Sequence, residues 1–242
     1  MQIATKQIAY KDADTTLNGI FFWDDESQST KRPGVLVVHG GTGLDDHAKN
    51  RARCFAELGY IALACDMYGE GVAGNRERIM ARINELRAEP DRLPRRATAG
   101  LDALQSHPLT NSRLAAVGYC FGGMTVLELA RSGAPIAAVV SVHGSLDTKH
   151  PAAPDVIKAK ILVCHGALDP HVPLPQITAF ADEMKTANAD WQLIIYGHAM
   201  HGFTHEDKWN IPGVAYHAAS DARSRRAIES FFAEIFADKH SS

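Results

Sequence analysis

The sequence predicts an α/β fold, a mainly parallel central sheet with helices on both faces and an N-terminal antiparallel hairpin. Two observations carry this. Short apolar blocks without polar alternation recur at 35–38, 61–65, 114–117, 137–142, 161–164 and 193–196, as expected of strands covered on both faces. Stretches of helical period lie between them, and buried strands alternating with amphipathic helices imply parallel pairing through helical crossovers.

The elements follow in order. Residues 3–10 and 17–23, separated by Lys11-Asp-Ala-Asp, read as a hairpin on a sheet edge. After Arg32-Pro33-Gly34 the first parallel strand begins. Ala48, Ala52, Phe55 and Leu58 share one helical face, as do Ala97, Leu101 and Leu104. The charged segment 75–94 carries a narrower apolar face (Ile79, Met80, Ile83, Leu86) and reads as an excursion helix at the rim. Ile177, Phe180, Ala181 and Met184 mark another helix. Ile228, Phe231, Phe232, Ile235 and Phe236 mark the last, with charged residues opposite. No repeat and no Pro-, Gly- or Ser-rich linker divides the chain, so residues 1–242 are expected to form one domain. Right-handed crossovers put the C-terminal ends of the parallel strands along one rim, where open α/β sheets hold their sites.

Composition narrows the function. The 242 residues are 45% hydrophobic, enough for a core without disulfides or structural metal. With 25 Lys+Arg against 28 Asp+Glu the net charge is −3, so the basic field that phosphate backbones demand is missing and nucleic acid is not an expected partner. The N-terminus lacks the pattern of a secretory signal, and no run approaches the roughly 18 apolar residues of a membrane span. Cys54, Cys65, Cys120 and Cys164 show no CxxC or disulfide rhythm, which fits free thiols in a reducing cytoplasm. Three of them are expected to be small buried hydrophobes.

The fourth is the exception. Gly118-Tyr119-Cys120-Phe121-Gly122-Gly123 follows the strand at 114–117 and precedes the helical run 124–131. This is a nucleophile-elbow pattern with Cys in the place of Ser. A strand reversing sharply into a helix needs small neighbours, supplied by Gly118 and Gly122, and it aims the sulfur at a helix N-terminus that favours a thiolate. Chance would produce Gly-x-Cys-x-Gly only about 0.02 times in such a chain, at near-background Gly usage. No Gly-x-Ser-x-Gly competes with it.

A cysteine nucleophile needs a base, and the base an orienting acid, in the chain order nucleophile, acid, base. The strand at 161–164 runs into His165-Gly-Ala-Leu-Asp169-Pro170, which places Asp169 on the rim. The strand at 193–196 runs into Gly197-His198-Ala-Met-His201-Gly202-Phe203. His201 is preferred over His198 because His-Gly-Phe commonly closes such a triad. Backbone donors for an oxyanion are expected from the amide of Phe121 and, in His39-Gly40-Gly41-Thr42-Gly43, from that of Gly41.

At these residues the chain resembles the dienelactone hydrolase family of α/β-hydrolases. The resemblance spans the hairpin, 35–43, 62–71 with Asp66-Met-Tyr-Gly-Glu, the Gly-Tyr-Cys-Phe-Gly-Gly elbow, His-Gly-x-x-Asp at 165–169 and His-Gly-Phe at 201–203. It implies an α/β-hydrolase fold. It also implies hydrolysis of a small-molecule ester or lactone through a Cys120–Asp169–His201 triad, without cofactor or metal. Two positions depart from the family. Its glutamate at the end of the first parallel strand falls on Gly40, and its arginine four residues beyond the histidine falls on His205. Generic ester or lactone hydrolysis is therefore favoured over dienelactone hydrolysis itself. Gly40, Tyr68, Arg78, His143 and His205 are expected near the substrate, and the chain is read as a cytoplasmic monomer or homodimer. The competing expectation is a low-turnover ligand-binding or sensor protein on the same fold. Metal binding by His198, His201 and His205 is disfavoured, because Gly197 and Gly202 break the helix that would align them.

Overall fold

The computed structural model describes residues 1–26, 30–206 and 211–237. The predicted hairpin is formed by β1 (Ile3–Asp12) and β2 (Thr15–Asp24), with Ala13 at a left-handed φ of 49° in its tight turn. Then follow β3 (Arg32–Val38), α1 (Asp46–Glu57), β4 (Ile61–Cys65), α2 (Arg76–Leu86), α3 (Arg92–Gln105) and β5 (Thr110–Tyr119). The remainder comprises α4 (Phe121–Arg131), β6 (Ala138–Val142), β7 (Lys160–Gly166), α5 (Leu174–Thr186), β8 (Trp191–Tyr196) and α6 (Ala218–Phe236).

All eight strands join one sheet in the order β1-β2-β4-β3-β5-β6-β7-β8. From β4 to β8 every pairing is parallel, and β2 joins β4 antiparallel. The missing alternation has a direct cause in β3: Leu36 and Val38 enter the core under α2, α3, α4 and α5, while Val35 and Val37 enter the core under α1 and α6. Both faces of residues 35–38 are dry, so none of these four positions is polar. The chain leaves β3 toward β4 on one side and returns to β5 on the other. This reversal of strand order opens a crevice at the C-terminal ends of β3 and β5.

Two expectations need correction. On α2, Leu86 is fully buried and Ile79 and Ile83 pack on the core, but Met80 is 49% exposed because it lies off that narrow face. Cys65 and Cys164 are buried as expected, whereas Cys54 on α1 is only half-buried. Among the described residues no helix is long and apolar enough to cross a membrane.

Candidate active site

Cys120 stands between β5 and α4 at φ 54° and ψ −114°, a left-handed conformation that a non-glycine residue adopts only when its surroundings impose it. The imposition is visible. A Cβ on Gly118 would fall 1.9 Å from the carbonyl oxygen of Gly122, and one on Gly122 would fall 2.3 Å from that of Val38. The first turn of α4 is thus wedged between β5 and β3, and the residue at the bend is pushed outward onto the rim.

The loops after β7 and β8 bring two partners to it. His201 Nε2 lies 3.1 Å from Cys120 Sγ, and His201 Nδ1 lies 2.8 Å from Asp169 Oδ2. The other oxygen of Asp169, a side chain with no solvent exposure, accepts the amide of His171 at 2.8 Å. The electrostatics agree with the geometry. Burial alone would raise the Cys120 thiol, but the hydrogen bond and charge of His201, with the amides of Phe121 and Gly41, outweigh it and hold it below its ordinary range. For His201, burial opposes the charged form, yet Asp169 and Cys120 lift it to about 10. Asp169 resists burial and is held low by the same imidazole. Such a group can exist as a thiolate–imidazolium pair, with two amides facing the sulfur.

The loop after β3 is fixed by His39, which pattern reading did not single out, and by Tyr68, which it expects near the substrate and which is 1% exposed. His39 is fully buried; its Nε2 accepts the amide of Met67 at 3.1 Å, so the proton sits on Nδ1 and is donated to Gly40 O at 2.7 Å. In a trans peptide the N–H points opposite to the C=O, so anchoring Gly40 O turns the Gly41 amide toward Cys120. Tyr68 braces the other side. Its ring lies edge-on to His39 at 4.6 Å and its hydroxyl donates to Gly41 O at 3.1 Å. Asp66 Oδ1 accepts the amides of Tyr68 and Gly69 and shapes that turn.

The remaining candidates divide. Gly40 lies beside the thiol: a Cβ built there sits 3.7 Å from Cβ of Cys120 and 3.6 Å from Nε2 of His205, so a side chain could occupy this place. His143 and His205, expected to face substrate, are instead 1% and 2% exposed. His205 stacks on His47 with ring centroids 3.6 Å apart. His143 points its ring nitrogens at Cys120 and Thr204. Their places at or near the rim predict contact with substrate, but here both are packed among protein groups beside the Cys120 thiol. Arg78, at the start of α2, donates to Gly71 O at 2.9 Å on an exposed loop. His198 faces His217, at 6.4 Å between ring centroids, and so has neighbours different from those of His201 and His205. Among the described residues, no three His, Cys, Asp or Glu side chains form a group that could hold a metal ion.

The sequence pattern of the dienelactone hydrolase family matches residues 21–236. The chain belongs to this family. Its sequence is 39% identical to the solved structure of a dienelactone hydrolase-like promiscuous phosphotriesterase from metagenomic libraries, with 97% of this chain and 99% of that one covered at a TM-score of 0.91. An uncharacterised protein of Caenorhabditis elegans is 37% identical over 151 residues, 60% of this chain and 96% of its own length. A Yersinia pestis protein provisionally named carboxymethylenebutenolidase is 28% identical over 202 residues, 78% of this chain and 73% of its own. This member of the family is a hydrolase of the lactone- or ester-cleaving class, built on the eight-stranded α/β sheet that its relatives share.

Proposed function

We propose that the protein is a cysteine hydrolase of small carboxylic esters and lactones, acting as a single cytoplasmic domain. The observation that carries this is the continuous line from Sγ to Nε2 at 3.1 Å and from Nδ1 to carboxylate at 2.8 Å. In this reading the Cys120 thiolate attacks the ester carbonyl carbon, and the carbonyl electron pair moves onto oxygen. The amides of Gly41 and Phe121 hold that oxyanion. As the intermediate collapses, protonated His201 gives its Nε2 proton to the departing alkoxide and a thioester forms on Cys120. Neutral His201 then takes a proton from water, the resulting hydroxide attacks the thioester, and the thiolate leaves with the imidazolium restored. Asp169 holds the Nδ1–H tautomer throughout. Each step uses groups of this chain, and none requires a second copy of it.

With glycine at 40 and a buried histidine at 205, neither family position offers an exposed charge for a substrate carboxylate. Neutral esters and lactones are therefore expected to turn over as well as their carboxylate-bearing counterparts. A panel of both, with a neutral phosphotriester added because of the phosphotriesterase relative, checks this by steady-state rates. Release of one equivalent that then stalls would favour the ligand-binding reading. A clear preference for carboxylate-bearing lactones would overturn the specificity.

The pKa directions give a second check. Removing the imidazole in His201→Ala leaves burial as the dominant influence on Cys120, so the thiol is expected to rise to or above the free value of about 8.5. In the wild type the reactive pair forms as pH rises through the lowered thiol pKa and disappears as His201 deprotonates near 10. The rate of alkylation by iodoacetamide against pH measures both; an unchanged thiol pKa in the variant would rule out activation by His201.

A further inference from the structure

The thiol and the base of the proposed reaction sit on separate loops, at 120 and at 201–205, and something must fix their separation. His143 joins them. Its Nδ1 lies 3.1 Å from the backbone nitrogen of Cys120, and its Nε2 lies 2.9 Å from Oγ1 of Thr204, three residues beyond His201. The proton positions follow from the donors. The Cys120 amide can only donate, and it does so to both Val142 O and His143 Nδ1. A neutral imidazole carries one proton, so that of His143 is on Nε2 and is donated to Thr204. The threonine hydroxyl is then free to donate to His47 Nε2 at 3.1 Å, which also accepts Arg51 Nε–H at 3.2 Å. Arg51 in turn donates to Thr204 O and to Asp221 Oδ1, both at 2.8 Å. Thr204 is held by its hydroxyl and its carbonyl together.

The backbone leaves this bridge little slack. His143, like Cys120, has a left-handed φ, at 41°, and paired outliers of this kind cluster where a fold enforces a functional geometry. A Cβ on Gly144 would fall 2.6 Å from the carbonyl carbon of Gly123, so the chain carrying His143 is pressed onto the first turn of α4. Burial among His201, His205 and His47 keeps His143 well below the ordinary imidazole range. Protonation would turn Nδ1 into a donor facing the Cys120 N–H.

We propose that His143 and Thr204 are positioning residues that tie the nucleophile's own amide to the loop of the base and so set the Cys120–His201 separation. This rests on the reading of Cys120 as nucleophile and His201 as base. Thr204→Val keeps the shape of the side chain and removes the hydroxyl. It is expected to lower the single-turnover acylation rate with p-nitrophenyl acetate by about 10- to 100-fold, as a misplacement of the order of 1 Å does. The Cys120 thiol pKa should rise with it, while Thr204→Ser should restore both. A Thr204→Val protein that melts earlier but keeps its thiol pKa and acylation rate would reduce the hydroxyl to packing and overturn the proposal. A measurement on the wild type does not depend on the variant folding: in 15N-histidine NMR at neutral pH, His143, assigned by its loss in His143→Asn, is expected as the neutral Nε2–H tautomer. An Nδ1–H tautomer or an imidazolium there would also overturn it. Failure of the underlying catalytic reading would look different, as full ester turnover by Cys120→Ala with the His143 tautomer unchanged.

Discussion

Cys120→Ala is expected to lower kcat/KM for a p-nitrophenyl ester on the order of ten-thousand-fold or more, the scale seen when a nucleophile acting as part of a unit is deleted. The sulfur is where the proposed chemistry converges: it forms the covalent intermediate, and its negative charge is one of the influences lifting His201 to about 10. Without it, His201 retains only Asp169 as a charged partner, and catalysis falls to water activated by an imidazole beside two amides. That residue of activity still exceeds the uncatalysed reaction, because the amides of Gly41 and Phe121 remain aimed at the developing oxyanion. Stability should change little, since the side chain is only half-buried. Steady-state kinetics beside a thermal melt of the same preparation give the measurement. A variant within tenfold of wild type would mean that ester cleavage, if it occurs, uses another nucleophile.

How much of this was readable in the chain depends on whether the signal was periodic, local or tertiary. The strands were legible because burial on both faces leaves a polar-free run, as in 61–65, which is β4 to the residue. Cys120 was legible because a strand-to-helix reversal needs glycines at fixed offsets, and the contacts at Gly118 and Gly122 show how little room that reversal has. Asp169 and His201 could be placed on the rim because successive parallel strands deliver their loops there, and the His-Gly-Phe at 201–203 selected His201 over His198 in the same loop. The dry framework behind the thiol carried no such signal. His39, His47, Arg51, His143 and Thr204 come from four separate stretches, His47 and Arg51 sharing α1, and only the folded sheet makes neighbours of Thr204 and His47, which lie 157 positions apart. Sequence could mark His143 and His205 as near the site but not on which side of the nucleophile they lie, and that decides whether they meet substrate or protein. His39 offered one usable hint, a histidine directly ahead of a Gly-Gly loop after a buried strand, where a side chain able to accept and donate at once can hold a loop peptide.

Gly118→Ala tests the elbow through stability rather than chemistry. Gly118 does not have the left-handed φ of Cys120, so alanine is not opposed by backbone conformation; space alone decides. The added Cβ would lie 1.9 Å from Gly122 O, 2.2 Å from its carbonyl carbon and 2.7 Å from the Gly123 nitrogen. All three are backbone atoms, so no rotamer change can clear them. Relief requires moving the first turn of α4, but Gly122 is already pressed against Val38 O on β3, and Gly123 against Gly144. Overpacking with no side chain able to yield belongs at the upper end of core substitutions, more than about 3 kcal/mol. For a chain of this size that corresponds to a melting temperature roughly 6–12 °C lower, or a failure to fold. Any folded fraction should show a slower acylation rate, because Cys120 lies within the segment that must shift. Gly197→Ala is the matched control: a Cβ there meets nothing within 4 Å, and a change within about 0.5 kcal/mol is expected. A Gly118→Ala protein melting within two or three degrees of wild type, roughly 1 kcal/mol, would mean that the strand and the helix turn are not wedged. The outward thrust on the thiol would then need another source.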